Sequence, residues 1–266
     1  MHPKLITFGD LFLPSYGLFV SLGFLAGLWM ATRLARRQGL NADLVVNLAV
    51  YCALTGVLGG KLLMILFDLE FYLRNPGELF SLATLRAGGV FYGGLGLALV
   101  VAYFYMRHVK LPGWRTADVL APAVALGHAI GRIGCFMAGC CWGSECHRPW
   151  AVIFTNPETH EMFGTPLNVP LHPAQLYQSA AEALIFGILY WRGTKTHAPG
   201  SILGLYLMLT STGRFLIEFG RFHEQALPFG GPLSNGQWIS MILFLLGAVL
   251  LKRAGSLSNP GLRNSA

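Results

Sequence analysis

Charge is what this chain has least of. Only 12% of its 266 residues are charged against 54% hydrophobic, whereas ordinary soluble domains carry about 25% charged residues. That shortage excludes a soluble globular domain of usual composition and implies a membrane protein. Lysine-rich runs are also lacking. The formal net charge of +7 comes from basic residues set between apolar segments, which points to topology and away from nucleic-acid binding. Four of the five cysteines fall within 135–146, yet no CxxC pair occurs. The spacing therefore fits neither a small secreted disulfide scaffold nor a standard zinc site, and no metal is expected. Met1 to Pro14 has no basic run ahead of its apolar residues, so a cleavable signal peptide is not expected. No internal period of about 20 to 50 residues is present, which excludes a solenoid or propeller.

What is present is apolar sequence in lengths that cross a bilayer, about 17 to 25 residues each. Such stretches run over 15–33, 44–66, 89–107, 117–138, 173–191, 200–220 and 236–252. The expectation is an all-α polytopic membrane protein with seven transmembrane helices, forming one integral domain over 1–253. Pro122, His128 and Arg132 interrupt the fourth stretch, but loop charges alternate sensibly only if it crosses. The loops after the first, third and fifth stretches, with the C-terminal tail, carry eleven basic residues: Arg33, Arg36, Arg37, Arg107, Lys110, Arg115, Arg192, Lys195, Lys252, Arg253 and Arg263. The other side carries five, Lys4, Arg74, Arg86, Arg148 and Arg221, together with eight acids. The positive-inside rule then puts the N-terminus outside and the C-terminus in the cytoplasm. Residues 67–88 resemble an interfacial helix. Residues 139–172, with four prolines, suggest a small outer head containing a short strand pair. Residues 254–266 look like a disordered cytoplasmic tail.

Depth singles out the polar residues. Arg132 and Arg214 each lie six positions before the outer end of their stretch, about 9 Å deep at 1.5 Å per residue. A guanidinium at that depth costs roughly 2.5 to 3.5 kcal/mol on insertion scales, so each needs a partner or a water-filled cavity. Arg214, Glu218 and Arg221 share one helix face. One carboxylate against three arginines leaves positive charge for an anion, and in a bilayer a phospholipid phosphate suits an arginine fork. The competing reading is that these charges only lock helices together. Tyr16, Lys61, Tyr92, His172, Gln175 and Gln237 fall in the same outer half, while Glu182 lies mid-helix, paired or lining the cavity. Tyrosines at that depth ordinarily serve as belt residues, but Gly88, Gly89, Gly93 and Gly94 flank Tyr92 and permit close backbone approach. For Cys135, Cys140, Cys141 and Cys146, packing, a disulfide, thiol chemistry and a metal site remain open alternatives.

Six ordered blocks carry a resemblance. They are Ser15 to Leu18; Arg86 to Gly94; Gly131-Arg132-Ile133-Gly134 with Phe136, Gly139, Trp142 and Gly143; His172 to Tyr177; Arg214 to Arg221; and Leu233-Ser234 with Gly236 to Ser240. Together they resemble the bacterial phosphatidylglycerol-prolipoprotein diacylglyceryl transferases over nearly the whole chain. The resemblance implies transfer of the diacylglyceryl group of phosphatidylglycerol onto the lipobox cysteine thiol of preprolipoproteins, releasing glycerol phosphate. It implies membrane lipids and lipobox peptides as partners, no nucleic acid, no cofactor, and residence in the bacterial cell inner membrane with the site toward the periplasmic leaflet.

By position, Arg132 and Arg214 resemble the phosphate-binding arginines and Glu218 the essential acid. Tyr16 and Gly143 resemble further required positions, and Lys61 stands for a usual arginine. Gln175 and Arg221 complete the expected substrate-binding set, and Tyr92 or a carboxylate-linked water is the expected base for the thiol. Five positions depart from the pattern: Cys135 and Ala138 stand for asparagines, Cys140 for glutamate, Thr210 for tyrosine and Gln178 for glutamate. A paralogue that binds or translocates phospholipid without chemistry, and a membrane thiol or metal protein, are the alternatives.

Overall fold

The computed structural model describes residues 2–8, 11–81, 84, 87–221 and 231–258. It is mainly helical, with α1 Ser15–Arg37, α2 Ala42–Phe67, α3 Leu69–Arg74, α4 Phe91–His108, α5 Gly113–Ala138, α6 Pro157–Phe163, α7 Ala174–Gly193, α8 Ser201–Glu218 and α9 Asn235–Ser258. Long helices stand at all seven expected places. Among the described residues α1, α2, α5 and α9 are long and apolar enough to cross a membrane by length and composition. Chain contacts divide the molecule into two compact units, residues 35–116 and residues 1–34 with 117–266.

In the unit 35–116, α2 starts where the Asn41 side chain accepts from the amides of Asp43 and Leu44, satisfying donors that a helix start leaves open. Helices α2 and α4 meet through glycines. A Cβ on Gly59 would stand 2.5 Å from the Gly93 carbonyl oxygen, and one on Gly94 would stand 2.5 Å from that of Gly56. Lipid tails are as apolar as leucine, so helices in a membrane associate through such small-residue contacts, where backbones approach and many small dispersion and dipolar attractions add up. Between the two helices, α3 and a 3-10 turn, Pro76–Phe80, leave Phe71, Leu73 and Phe80 exposed. That is the segment expected at an interface.

The other unit opens with an antiparallel hairpin, β1 Lys4–Phe8 and β2 Leu11–Pro14, which the sequence pattern does not foretell. Helix α5 is one continuous helix through Pro122, so the interruption expected there is a tolerated proline. Helices α1 and α5 cross closely, since a Cβ on Gly23 would lie 2.7 Å from the Gly127 carbonyl oxygen. Ala121 and Ala125 of α5, Ile185 and Leu189 of α7 and Ile202 of α8 form a buried core. At the start of α5 the buried Asp118 accepts from the amides of Gly200 (2.6 Å) and Leu203 (2.8 Å) at the head of α8.

Within 139–172, β3 Val152–Ile153 pairs with β4 Pro170–Leu171, and α6 is capped by Asn156 and closed by Gly164 in the left-handed region. Lys4 donates to Glu158 at 2.8 Å, fastening the hairpin to α6. Helix α9 runs to Ser258, so residues 254–258, expected in a disordered tail, continue the helix instead. The helix extends because charged Lys252 and Arg253 end an apolar run without breaking helical propensity. Asp10, Leu85, Arg86, Glu224 and Arg263 lie outside the described residues.

Candidate active site

The end of α5 makes the first wall. Gly139, at φ 85°, follows the last helical residue, the Cys140 amide donates to the Cys135 carbonyl at 3.1 Å and the Gly139 amide to that of Phe136 at 3.2 Å. This is a Schellman end, which needs a left-handed residue and brings the side chains on either side of the turn together. Cys141 is left-handed as well, at φ 62°. The Cys135, Cys140 and Cys141 sulfurs consequently lie within 4.8 Å of one another, all as free thiols. Contact with Cys135 and then Cys140 holds the Cys141 thiol below the usual thiol range, with Arg132 and Arg221 adding to the effect. The Cys135 contact likewise pushes Cys140 up.

One turn back from Cys135, Arg132 donates its Nε to His128 Nε2 at 3.1 Å. His128 Nδ1 stands 3.3 Å from Glu182 of α7, and the Thr210 hydroxyl of α8 donates to the same carboxylate oxygen at 2.6 Å. Glu182 is thus paired. A four-membered chain across α5, α7 and α8 fixes the plane of the Arg132 guanidinium. Its two terminal nitrogens have no hydrogen bond among the described residues. Arg132, His128, Tyr16, Gly131, Val20, Phe163 and the three cysteines line a cavity of about 500 Å³.

The second wall is the end of α8. Arg214 Nη2 lies 2.8 Å from Glu218 Oε2, with Arg221 Nε at 3.9 Å from the same oxygen. Ser234 donates to Glu218 Oε1 at 2.9 Å. Ser234 and Gln237 also form a capping box on α9, in which the Gln237 amide donates to the Ser234 hydroxyl and the Gln237 side-chain oxygen accepts from the Ser234 amide. Gly236 permits this packing: a Cβ there would lie 2.7 Å from Glu218 Oε1. Arg214 Nη1 is buried with no hydrogen-bond partner among the described residues, and Arg132 and Arg221 are near enough to act on Arg214 electrostatically. One turn along each helix begins an apolar groove of about 310 Å³, lined by Phe215 and Leu216 of α8 and Met241, Phe244 and Leu245 of α9 among others.

Gly143 joins the walls. Its amide donates to the His172 carbonyl, and the Ser144 amide donates to that of Gly220, both at 2.9 Å. A Cβ on Gly143 would collide with Gly220 and His172 at 2.5 to 2.7 Å. Gln175, buried at the start of α7, donates to the Cys140 carbonyl at 2.6 Å, leaving its own Oε1 without a partner among the described residues.

Of the expected site residues, Arg132, Arg214, Glu218, Arg221, Tyr16, Gly143 and Gln175 belong to this one unit. Tyr92 and Lys61 belong to the unit 35–116. Tyr92 is 59% exposed at the start of α4, and its neighbours Gly89, Gly93 and Gly94 serve the contact with α2. Lys61 donates to the carbonyls of Thr84, at 2.5 Å, and Ala87; it ties down the stretch of chain leading into α4. His128 and Thr210 were missed as site residues. His128 had a signal, since it precedes Arg132 by four on one helix face. The Thr210 contact joins two helices, and its one signal was its place among the departures from the family pattern.

A family model described as prolipoprotein diacylglyceryl transferase matches residues 3–253. Three proteins named phosphatidylglycerol--prolipoprotein diacylglyceryl transferase are among the similar ones. That of Clostridium tetani is 33% identical over 247 residues, 93% of this chain and 95% of the other. That of Vibrio parahaemolyticus is 36% identical over 257 residues, 94% and 90%. That of Nitratidesulfovibrio vulgaris (strain DP4) is 35% identical over 262 residues, 96% and 95%.

Proposed function

The chain belongs to the prolipoprotein diacylglyceryl transferase family, and on that premise we propose how its half-buried arginines carry out the transfer. The protein is a membrane transferase that moves a diacylglyceryl group from phosphatidylglycerol to a prolipoprotein. In our reading the acceptor is the lipobox cysteine thiol. Its sulfur forms a bond to the glyceryl carbon that carried the phosphate, that carbon's bond to oxygen breaks, and glycerol phosphate leaves with the electron pair. A proton leaves the thiol, and a second negative charge develops on the departing phosphate.

Unused donors support this assignment. The terminal nitrogens of Arg132 and the buried Nη1 of Arg214 have no hydrogen-bond partners among the described residues, while Glu218 offsets only part of the charge of Arg214 and Arg221. Arg132 and Arg214 bind the phosphate and stabilise the charge that grows on it, the electrostatic work that usually dominates catalysis. Glu218 orients Arg214, and Arg221 adds field. The acyl chains lie in the groove between α8 and α9. Tyr16 and Gln175 contact the substrates, and Gly143 keeps the two walls in register. A carboxylate-linked water is assigned as the proton acceptor, with no cofactor required.

The same reading keeps seven crossings, the N-terminus and 139–172 outside, the C-terminus in the cytoplasm, and the site toward the outer leaflet of the bacterial inner membrane. The Lys4 to Glu158 pair supports it, because four crossings return 139–172 to the side of the N-terminus. In a cysteine-free background, an impermeant thiol reagent should label Glu158→Cys and spare Arg36→Cys in intact cells; the reverse labelling overturns the orientation. The function itself is tested with purified protein, labelled phosphatidylglycerol and a lipobox peptide. Thioether-linked label on the peptide is expected. Binding of phosphatidylglycerol with no transfer identifies a lipid-binding paralogue instead.

A further inference from the structure

We propose that Cys135, Cys140 and Cys141 form a site for one soft monovalent metal ion, cuprous copper, bound by three thiolates. The residue spacing hides this site, and the fold assembles it. The Schellman turn at Gly139 puts Cys140 beside Cys135, and the left-handed Cys141 turns its thiol back toward both. All three sulfurs fall within 4.8 Å of one another. A trigonal metal with metal–sulfur bonds of about 2.3 Å has sulfur–sulfur edges of about 4.0 Å, which small side-chain rotations reach. Thiolates are soft ligands that select copper(I), zinc and iron–sulfur clusters over hard cations.

Ligand count and charge choose among the soft metals. A closed zinc site takes four ligands, and no fourth cysteine, histidine or carboxylate joins this cluster among the described residues. His128, in the same cavity, already accepts from Arg132 at Nε2 and faces Glu182 at Nδ1. Three thiolates around a monovalent ion carry a net charge of minus two. Arg132 and Arg221 both act electrostatically on Cys141, which offsets that charge.

Binding displaces to solvent the protons that the three cysteines still carry and needs no oxidant or reductant when the ion is supplied as copper(I). Because the cluster shares its cavity with Arg132 and Tyr16, the bound ion also turns that positive pocket toward neutrality and weakens its hold on phosphate. This consequence for transfer rests on the transferase reading; the metal site does not.

The full-length protein, reduced and held without oxygen in detergent, is titrated with copper(I) against a cuprous chelator. One copper per chain is expected, with three sulfur neighbours by X-ray absorption. The Cys140→Ser/Cys141→Ser variant should lose it, and Cys52→Ser/Cys146→Ser should keep it. Equal binding by Cys140→Ser/Cys141→Ser overturns the site, as does tight zinc binding in place of copper. A native disulfide within the trio, found by thiol mapping of protein purified with its own redox state preserved, overturns it too. Copper-loaded protein should transfer diacylglyceryl more slowly. Full transfer by loaded protein overturns the inhibitory consequence and leaves both the binding result and the phosphate assignment standing.

Discussion

Helices α5 and α8 carry a buried charged cluster at each end, and the two ends are built differently. Asp118 and Arg132 sit on the same helix about 21 Å apart along its axis. At the first end both carboxylate oxygens of Asp118 receive backbone amides, from Gly200 and Leu203, and His197 approaches to 3.7 Å. The first amides of a helix have no partner within it and carry partial positive charge, so Asp118 fills both of its own oxygens by completing the head of α8. At the other end Glu218 pairs with two of three arginines, and donors on Arg132 and Arg214 remain unused among the described residues. A buried polar group with its bonds filled joins helices. One left with spare donors in a cavity is built for something that arrives.

The largest effect should come from breaking the unfilled end. Arg214→Lys and Arg132→Lys keep the charge and lose the planar fork, so transfer should fall by about a hundredfold or more, the scale of losing one transition-state donor. The thermal midpoint should stay nearly unchanged. Near-normal transfer by both variants at unchanged protein levels would make these arginines a helix lock like Asp118 and erase the contrast.

Asp118→Ala should behave in the opposite way. It strands two amides that now bond a charged acceptor, at a cost of about 2 to 3 kcal/mol in stability. Transfer per folded molecule should hold, because Asp118 is about 21 Å from Arg132 along the helix. Thermal unfolding and transfer measured on the same preparation decide this. A stable Asp118→Ala protein with lost transfer would couple the two ends and contradict their separation.

What the sequence disclosed follows the same division. The long helices were legible because apolar runs of spanning length have few other uses, and Arg214 and Glu218 were legible because their spacing puts them on one helix face. The hairpin at 4–14 was not, since two strands of four or five residues are too short to stand out beside an apolar helix. The link from Arg132 through His128 and Glu182 to Thr210 was half visible. Its first step lies within one helix, and the next two cross between helices, where one chain's spacing has no information. Gly236 and Ser234 entered only through family resemblance, and their physical reason, close packing on Glu218, belongs to the tertiary structure.

That link sharpens the comparison at intermediate size. Thr210→Val removes one neutral donor from Glu182, while His128 still faces the carboxylate. A loss of about 1 kcal/mol, roughly fivefold in transfer, is expected from a slightly freer Arg132. Raising the phospholipid concentration should restore much of it if the loss is one of phosphate binding. A deficit equal to that of Arg132→Lys would instead place Glu182 in direct contact with the chemistry.

The smallest effect should come from Cys135→Ala. Cys135 lies one turn beyond Arg132 and is buried, but the turn it borders depends on Gly139 and on main-chain hydrogen bonds that alanine keeps. Removing the sulfur costs about 1 kcal/mol of packing, the scale of one buried methylene, and transfer should stay within about a factor of three. Copper(I) binding should fall sharply in the same protein, so the variant separates the two uses of one cavity. Complete loss of transfer in Cys135→Ala, with the fold intact, would show that a thiol takes part in the reaction, and the spare donors of Arg132 and Arg214 would no longer account for the site on their own.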